Sequence, residues 1–199
     1  MEQQFQYYAF ISYKREDEKW AKWLQDRLRW YKLPSKLCRQ ITRLPKKVWP
    51  VFRDNTDLDS GRLEENIRHE LERSHYLIVI CSPEAARSPW VGKEVKYFAT
   101  LHGADKIIPF VVSGIPYSND IETECIHEQI KAISQEELLA INVREEGIGS
   151  FAMKKKRAFI RVVARLLDIK FNTLWQPYER ILRIRKWSTG IGVVFILIR

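Results

Sequence analysis

The sequence predicts an α/β fold in which a central, mainly parallel five-stranded sheet lies between two layers of helices. Short apolar runs alternate with helical patterns along the chain, and this alternation favours a parallel sheet that is covered on both faces. Residues 77–81 (LIVIC) are wholly apolar, which is typical of a strand buried on both faces. Three of the apolar runs end in polar residues, so a parallel arrangement would bring those residues to one edge of the sheet.

The first part of the chain predicts two strands and one helix. Residues 7–11 form the first apolar run, and residues 16–31 follow with large apolar side chains at helical spacing, which predicts an amphipathic helix. Residues 33–47 contain two prolines and many basic residues, so we expect a long surface loop, inserted beside the functional edge of the sheet. Residues 48–52 form the second predicted strand.

The middle of the chain predicts a strand between two helices. The helix over 63–73 precedes the third strand, 77–81. Ser88 is suited to cap a further helix over 89–101, because a proline follows it at the first helical position. Gly103 can end this helix, since glycine readily takes the backbone conformation of a helix end.

The last part of the chain continues the alternation. Residues 106–112 predict a fourth strand, and residues 122–133 a short helix. Residues 138–143 predict a fifth strand at an edge of the sheet. Residues 154–168 have apolar side chains at helical spacing and predict the last helix of the domain.

The charge of the chain is unevenly spread. The 199 residues have a formal net charge of +9, but residues 151–199 contain 12 basic and 2 acidic residues, so the rest is close to neutral. The main body therefore lacks the charge of a nucleic-acid-binding domain, and the basic run 154–157 has no interleaved aromatic residues for base stacking. Three cysteines without paired spacing favour a reduced compartment, and we expect no structural metal.

Polar residues follow each of the first three predicted strands. They are residues 12–15 after the first strand, residues 53–61 after the second and Ser82 after the third. Trp90 and Glu94 lie four residues apart on the next helix, so they share one of its faces. Open α/β sheets bind ligands at the carboxyl ends of their strands, which makes Glu94 the candidate functional carboxylate. A solvated helix carboxylate paired with a neighbouring cation would give the same pattern.

Three of these segments resemble the motifs of TIR (Toll/interleukin-1 receptor) domains. Residues 10–15 (FISYKR) are similar to the first TIR box, and residues 52–54 with 58–63 are similar to the second box and the BB loop. Residues 90–94 (WVGKE) resemble the Trp-x-x-x-Glu of TIR domains that cleave NAD. The resemblance implies a TIR domain over residues 1–170, with a flavodoxin-like three-layer α/β sandwich.

The resemblance also implies that Glu94 cleaves the nicotinamide–ribose bond of NAD. One carboxylate can stabilise an oxocarbenium-like transition state, and the positively charged nicotinamide leaves without a general acid. NAD would be a substrate and no cofactor is expected, since no Gly-x-Gly-x-x-Gly follows the first strand. The product stays open between linear and cyclic ADP-ribose. The residues expected to bind the substrate are Ser12, Tyr13, Lys14, Arg15, Phe52, Arg53, Asp54, Ser82 and Trp90.

The BB loop is expected to control assembly. In catalytic TIR assemblies this loop lies over the site of a neighbouring subunit, so the resemblance implies a composite site that self-association activates. The loop residues expected to take part are Asn55, Asp57, Leu58, Asp59, Gly61 and Arg62. The acidic residues of this loop lack the glycine and the glutamate that a calcium-binding loop requires, so no metal is expected here.

Two segments follow the predicted domain. Residues 171–187 are basic and end in a tryptophan, and residues 188–199 are apolar. The apolar segment is too short to cross a bilayer, which needs about 20 residues. However, a basic cluster, an aromatic residue and an apolar run are typical of a cytoplasmic membrane boundary. We therefore expect the start of a transmembrane helix that anchors a cytoplasmic domain to the inner face of the cell membrane. A tail that packs on the domain or on another copy is the alternative.

Three functions from different classes remain open. The resemblance implies an NAD glycohydrolase or cyclase that acts in bacterial antiphage defence. A non-catalytic TIR–TIR interaction module tethered to a membrane is the second, although adaptor TIR domains often lack a glutamate at this position. The third is a regulatory, membrane-tethered domain whose effect depends on a further C-terminal part.

Overall fold

The computed structural model describes residues 5–53, 61–133, 139–144 and 149–176, and at 61–64 it describes the helical backbone alone. A five-stranded sheet forms the centre, with β1 (Tyr7–Ser12), β2 (Val51–Arg53), β3 (Ser74–Cys81), β4 (Ile107–Val111) and β5 (Ile141–Asn142). All pairs are parallel, and the spatial order is β2-β1-β3-β4-β5. The predicted parallel sheet is confirmed, with β5 at an edge.

The helices follow the strands in the predicted alternation. They are α1 (Glu18–Trp30), α2 (Ser35–Gln40), α3 (Gly61–Glu72), α4 (Pro83–Ala86), α5 (Pro89–His102), α6 (Glu128–Ile133) and α7 (Phe151–Leu166). A 3-10 turn, Arg15–Asp17, precedes α1. Ser88 caps α5 as predicted, because its hydroxyl accepts the backbone N–H of Val91 at 3.4 Å. Gly103 ends α5 with a φ of +88°, a conformation that favours glycine.

Apolar layers cover both faces of the sheet. Successive strand residues point to opposite faces, so Ile11 packs with α1 and α7, and Phe10 packs with α3 and α5. Each such side chain stabilises the fold by about 1.5 to 3 kcal/mol when it is fully buried. Because helices cover both faces, the polar residues that follow the strands at the carboxyl edge are the ones best placed to meet a ligand.

The segment over 33–47 differs from the predicted surface loop. It contains α2, and the side chains of Leu33, Leu37 and Leu44 are buried in the core beside α1. The expectation that this segment lies beside the functional edge is also wrong. It leads from the end of α1 to the start of β2, and in a parallel sheet that connection lies at the amino ends of the strands. The prediction followed the prolines and basic residues of the segment and did not take account of its three leucines, which pack into the core.

Several element boundaries differ from the predicted ranges, and two of the differences have local reasons. The second strand begins at Val51, after Pro50, because proline has no N–H to donate to the ladder. The sixth helix is shorter than the predicted helix over 122–133. The carboxylates of Asp120 and Glu124 accept the backbone N–H groups of Glu122 and Ile126, and such local bonds compete with a helix.

The packed body extends past the predicted boundary at residue 170. Leu174 and Trp175 are buried in the core, and the Arg157 guanidinium lies 4.7 Å from the centre of the Trp175 ring. In the parts of the chain that the structure describes, no helix has both the length and the apolar character needed to cross a membrane. The predicted membrane segment, 188–199, lies outside the described residues.

Candidate active site

Glu94 lies in the second turn of α5 and is only 5% exposed. Ser12, the last residue of β1, donates its hydroxyl hydrogen to Oε2 of Glu94 over 2.5 Å. A hydrogen bond to a charged carboxylate is stronger than one between two neutral groups. The interpretation of Glu94 as a solvated helix residue is therefore wrong, because the side chain points inward to the carboxyl edge of the sheet.

Glu94 lines a groove of about 290 Å³ between α3 and α5. Trp90, one turn before Glu94, lines the same groove. The other residues that line it are the apolar Ile67 and Leu71, the aromatic Tyr97, the polar Thr100 and the basic Arg68, Lys93 and Lys96. An apolar floor with cations around a buried carboxylate suits a ligand that carries both a flat ring and negative charge.

A second buried carboxylate lies at the same edge of the sheet. Asp17, in the turn after β1, is 8% exposed and accepts a hydrogen bond from the hydroxyl of Ser82. Ser82 also caps α4, since its oxygen accepts the N–H of Ala85 at 3.1 Å. Burial raises the pKa of Asp17, although the hydrogen bond from Ser82 acts to lower it. Sequence reasoning missed Asp17, because neither its burial nor its partner has a local signal.

Arg53 links the end of β2 to α1 and to the loop after β1. Its Nη1 donates to the hydroxyl of Tyr13 at 3.0 Å and lies 3.4 Å from Oε1 of Glu18. Its Nε donates to Oε1 of Gln25 at 3.0 Å. These contacts direct the guanidinium toward the protein and fix the position of Tyr13.

None of Lys14, Arg15 and Phe52 lines the groove that Glu94 and Trp90 share. Lys14 is half-buried and Arg15 is exposed, both just after β1. The Phe52 ring is partly buried and stacks on Phe10 with a centroid distance of 5.2 Å. Ser12 contacts Glu94, and Ser82 contacts Asp17, so both serines are engaged within the protein.

The BB loop lies mostly outside the described residues. Asp54, Asn55, Asp57, Leu58 and Asp59 belong to this part of the chain. Gly61 and Arg62 form the start of α3, where the backbone alone is described. The predicted assembly role of the loop therefore stays a prediction.

Comparisons with known proteins extend these observations. A family model described as "TIR domain" matches residues 9–146. The chain is similar to a protein named NAD(+) hydrolase ApTIR from Actinoplanes sp., with 36% identity over 110 residues. The matched region is 54% of this chain and 14% of that protein, so the chain spans a small part of its relative.

A solved structure has a similar fold. It contains the TIR domains of the activated Roq1 resistosome directly recognizing the pathogen effector XopQ. The TM-score is 0.52 at 14% sequence identity, over 77% of this chain and 98% of that chain. At this identity the likeness supports the flavodoxin-like α/β fold alone.

Proposed function

Because the chain belongs to the TIR domain family, we propose that it cleaves NAD between nicotinamide and ribose. The observation that carries the proposal is the placement of Glu94, a buried residue whose carboxylate is held by Ser12 and which lines a groove together with Trp90. The similarity to a protein named NAD(+) hydrolase supports the same substrate. NAD is consumed in this reaction, so no separate cofactor is needed.

Glu94 stabilises the positive charge that develops on the ribose as the bond from C1′ to the nicotinamide nitrogen breaks. The bonding electrons leave with nicotinamide, which becomes neutral and needs no proton. Water then adds its oxygen to C1′ and releases a proton, which gives linear ADP-ribose. A nucleophile of the same substrate would instead give a cyclic product. The hydroxyl of Ser12 fixes the orientation of the carboxylate on which both reactions depend.

Side chains around Glu94 bind the rest of the substrate in this proposal. Lys14 and Arg15 carry charge that suits a diphosphate, and Trp90 and Tyr13 offer flat rings. Phe52, Arg53 and Ser82 hold the neighbouring strand ends in place through the contacts described above. Asp54 is proposed to complete the binding site from the BB loop.

Assembly and cellular context extend the proposal. Self-association through the BB loop activates the site, and residues 188–199 anchor the domain to the inner face of a cell membrane. The reaction serves bacterial antiphage defence. The resemblance of the motifs to TIR domains supports the proposed self-association and the proposed role in defence, and the basic-to-apolar pattern of residues 171–199 supports the proposed anchoring.

A non-catalytic TIR–TIR interaction module is the second candidate function. The burial of Glu94 favours it, since a side chain that is 5% exposed and bonded to Ser12 can join α5 to β1 without any catalytic role. This candidate predicts binding between copies of the chain without turnover of NAD.

Measurement of NAD turnover by wild type and Glu94→Gln separates the two candidates. Glutamine keeps the size of the side chain but removes its charge, so we expect turnover to fall at least about 100-fold. Glu122→Gln is the matched control, because Glu122 is exposed in a loop away from the groove and its side chain is 81% accessible. Absence of turnover in the wild type, in a sample that self-associates, would favour the interaction module.

A further inference from the structure

His127 is a buried imidazole just before α6, and it is 6% exposed. Its Nδ1 accepts the backbone N–H of Gln129 at 3.0 Å, so this nitrogen carries no proton. The proton of the neutral ring then lies on Nε2, which donates to the carbonyl oxygen of Ser88 at 3.1 Å. The side chain therefore ties the start of α6 to the first turn of α5.

The imidazole also packs directly against Gly92. A Cβ atom at position 92 would lie 2.4 Å from Cε1 and 2.7 Å from Nε2 of His127, which is closer than real Cβ contacts. Glycine inside a helix costs about 1 kcal/mol relative to alanine. The ring thus gives a physical reason for a glycine between Trp90 and Glu94, where the helix alone would disfavour it.

We propose that His127 is a positioning residue for Glu94, whose neutral imidazole holds the first turn of α5 so that the carboxylate stays against Ser12. This inference rests on the proposed cleavage of NAD. Trp90 and Glu94 lie on either side of the Gly92 contact, so a shift of this turn moves both. A displacement of about 1 Å at a reacting group can lower a rate about 100-fold.

Protonation of the ring breaks this arrangement. An imidazolium carries a proton on Nδ1, which then faces the N–H of Gln129, and two donors cannot bond to each other. Burial lowers the pKa of His127 below its usual 6.5, while Glu128 on α6 and the Ser88 carbonyl before α5 act to raise it. The contribution of the neutral ring is therefore present above pH 6.5 and is lost as the pH falls through the pKa of the folded protein.

Two substitutions in the full chain test whether the hydrogen bond from Nε2 to Ser88 is the important property of the ring. His127→Gln keeps an N–H near the position of Nε2 and can still donate to Ser88, whereas His127→Asn is too short to reach it. We expect kcat for NAD cleavage to fall about 10- to 100-fold in His127→Asn, with KM within about threefold. We expect His127→Gln to keep most of the activity. His69→Asn, on the exposed side of α3, is the matched control and stays at the wild-type rate.

The pH dependence of kcat and a glycine variant provide two measurements that would not change if His127 had a purely structural role. The fall of wild-type kcat at acid pH shifts or disappears in His127→Gln, because glutamine does not titrate. Gly92→Ala lowers kcat in the wild type and lowers it less in the His127→Ala background, because the smaller side chain leaves room for the added Cβ. If His127→Asn does not fold, His127→Gln and Gly92→Ala carry the comparison.

Amide hydrogen exchange of residues 90–95 measures how firmly this turn of α5 is held, without any turnover of NAD. Faster exchange in His127→Asn than in wild type supports the inference. Unchanged exchange, or an unchanged kcat in a folded His127→Asn protein, overturns it. Wild-type protein that does not cleave NAD overturns the proposed function instead, so the two failures are distinguishable.

Discussion

Two serine–carboxylate hydrogen bonds organise the functional edge at the scale of single residues. Ser12 at the end of β1 holds Glu94, which lies on α5, the second helix after β3. Ser82 after β3 holds Asp17, which lies in the turn after β1. The two bonds thus cross between neighbouring strands. Because a buried carboxylate without a partner costs free energy, each serine has a defined physical task.

Asp17→Asn tests the cost of burying the second carboxylate. Burial raises the pKa of Asp17 above its usual 3.8. The protonated carboxyl therefore adds to the free energy of unfolding below pH 3.8, and this contribution is lost as the pH rises through the higher pKa of the folded state. Asparagine keeps an oxygen that can accept from Ser82 without carrying a charge. We expect Asp17→Asn to unfold at a higher urea concentration than wild type at pH 7, and the difference to shrink toward pH 4.

Asp26→Asn on α1 is the control for that measurement, because Asp26 is exposed. A lower urea midpoint for Asp17→Asn than for wild type at pH 7 would show that the hydrogen bond to the charged form outweighs the cost of burial.

At the scale of elements, α5 combines the most functional features. Ser88 caps it, Gly92 admits the ring of His127, and Glu94 reaches back to β1. The segment over 33–47, by contrast, contributes to stability and not to the site. Its leucines stabilise the face of α1 and α7, and its position at the amino edge keeps it away from Glu94.

Leu37→Ala tests whether the segment over 33–47 contributes to stability alone. Removing a side chain that is buried in the core should lower the free energy of unfolding by about 2 kcal/mol, because a cavity remains. NAD turnover per folded molecule should not change, since α2 lies at the opposite edge of the sheet. Urea unfolding and turnover at low temperature measure both effects. Lys36→Ala, at an exposed position of the same helix, should change neither. A selective loss of turnover would contradict the assignment of this segment to stability.

At the scale of the whole molecule, assembly is the property that the proposed mechanism requires. If the BB loop of one copy completes the site of another, turnover per molecule should rise with protein concentration. Measurement of the NAD cleavage rate together with light scattering over a dilution series tests this prediction. Turnover per molecule that stays constant while the protein changes from monomer to assembly would indicate a site that is complete in one chain.

The sequence by itself determined the alternation of strands and helices, the parallel sheet and the shared face of Trp90 and Glu94. These features follow from local periodicity and capping, as the serine and proline before α5 show. Only the tertiary structure decided which side chains meet. Ser12 and Glu94 are 82 positions apart, Asp17 and Ser82 are 65 apart, and Ser88 and His127 are 39 apart. Periodicity reports which face of an element is apolar, but a contact between two polar residues depends on how whole elements pack, and that packing leaves no local pattern in the chain.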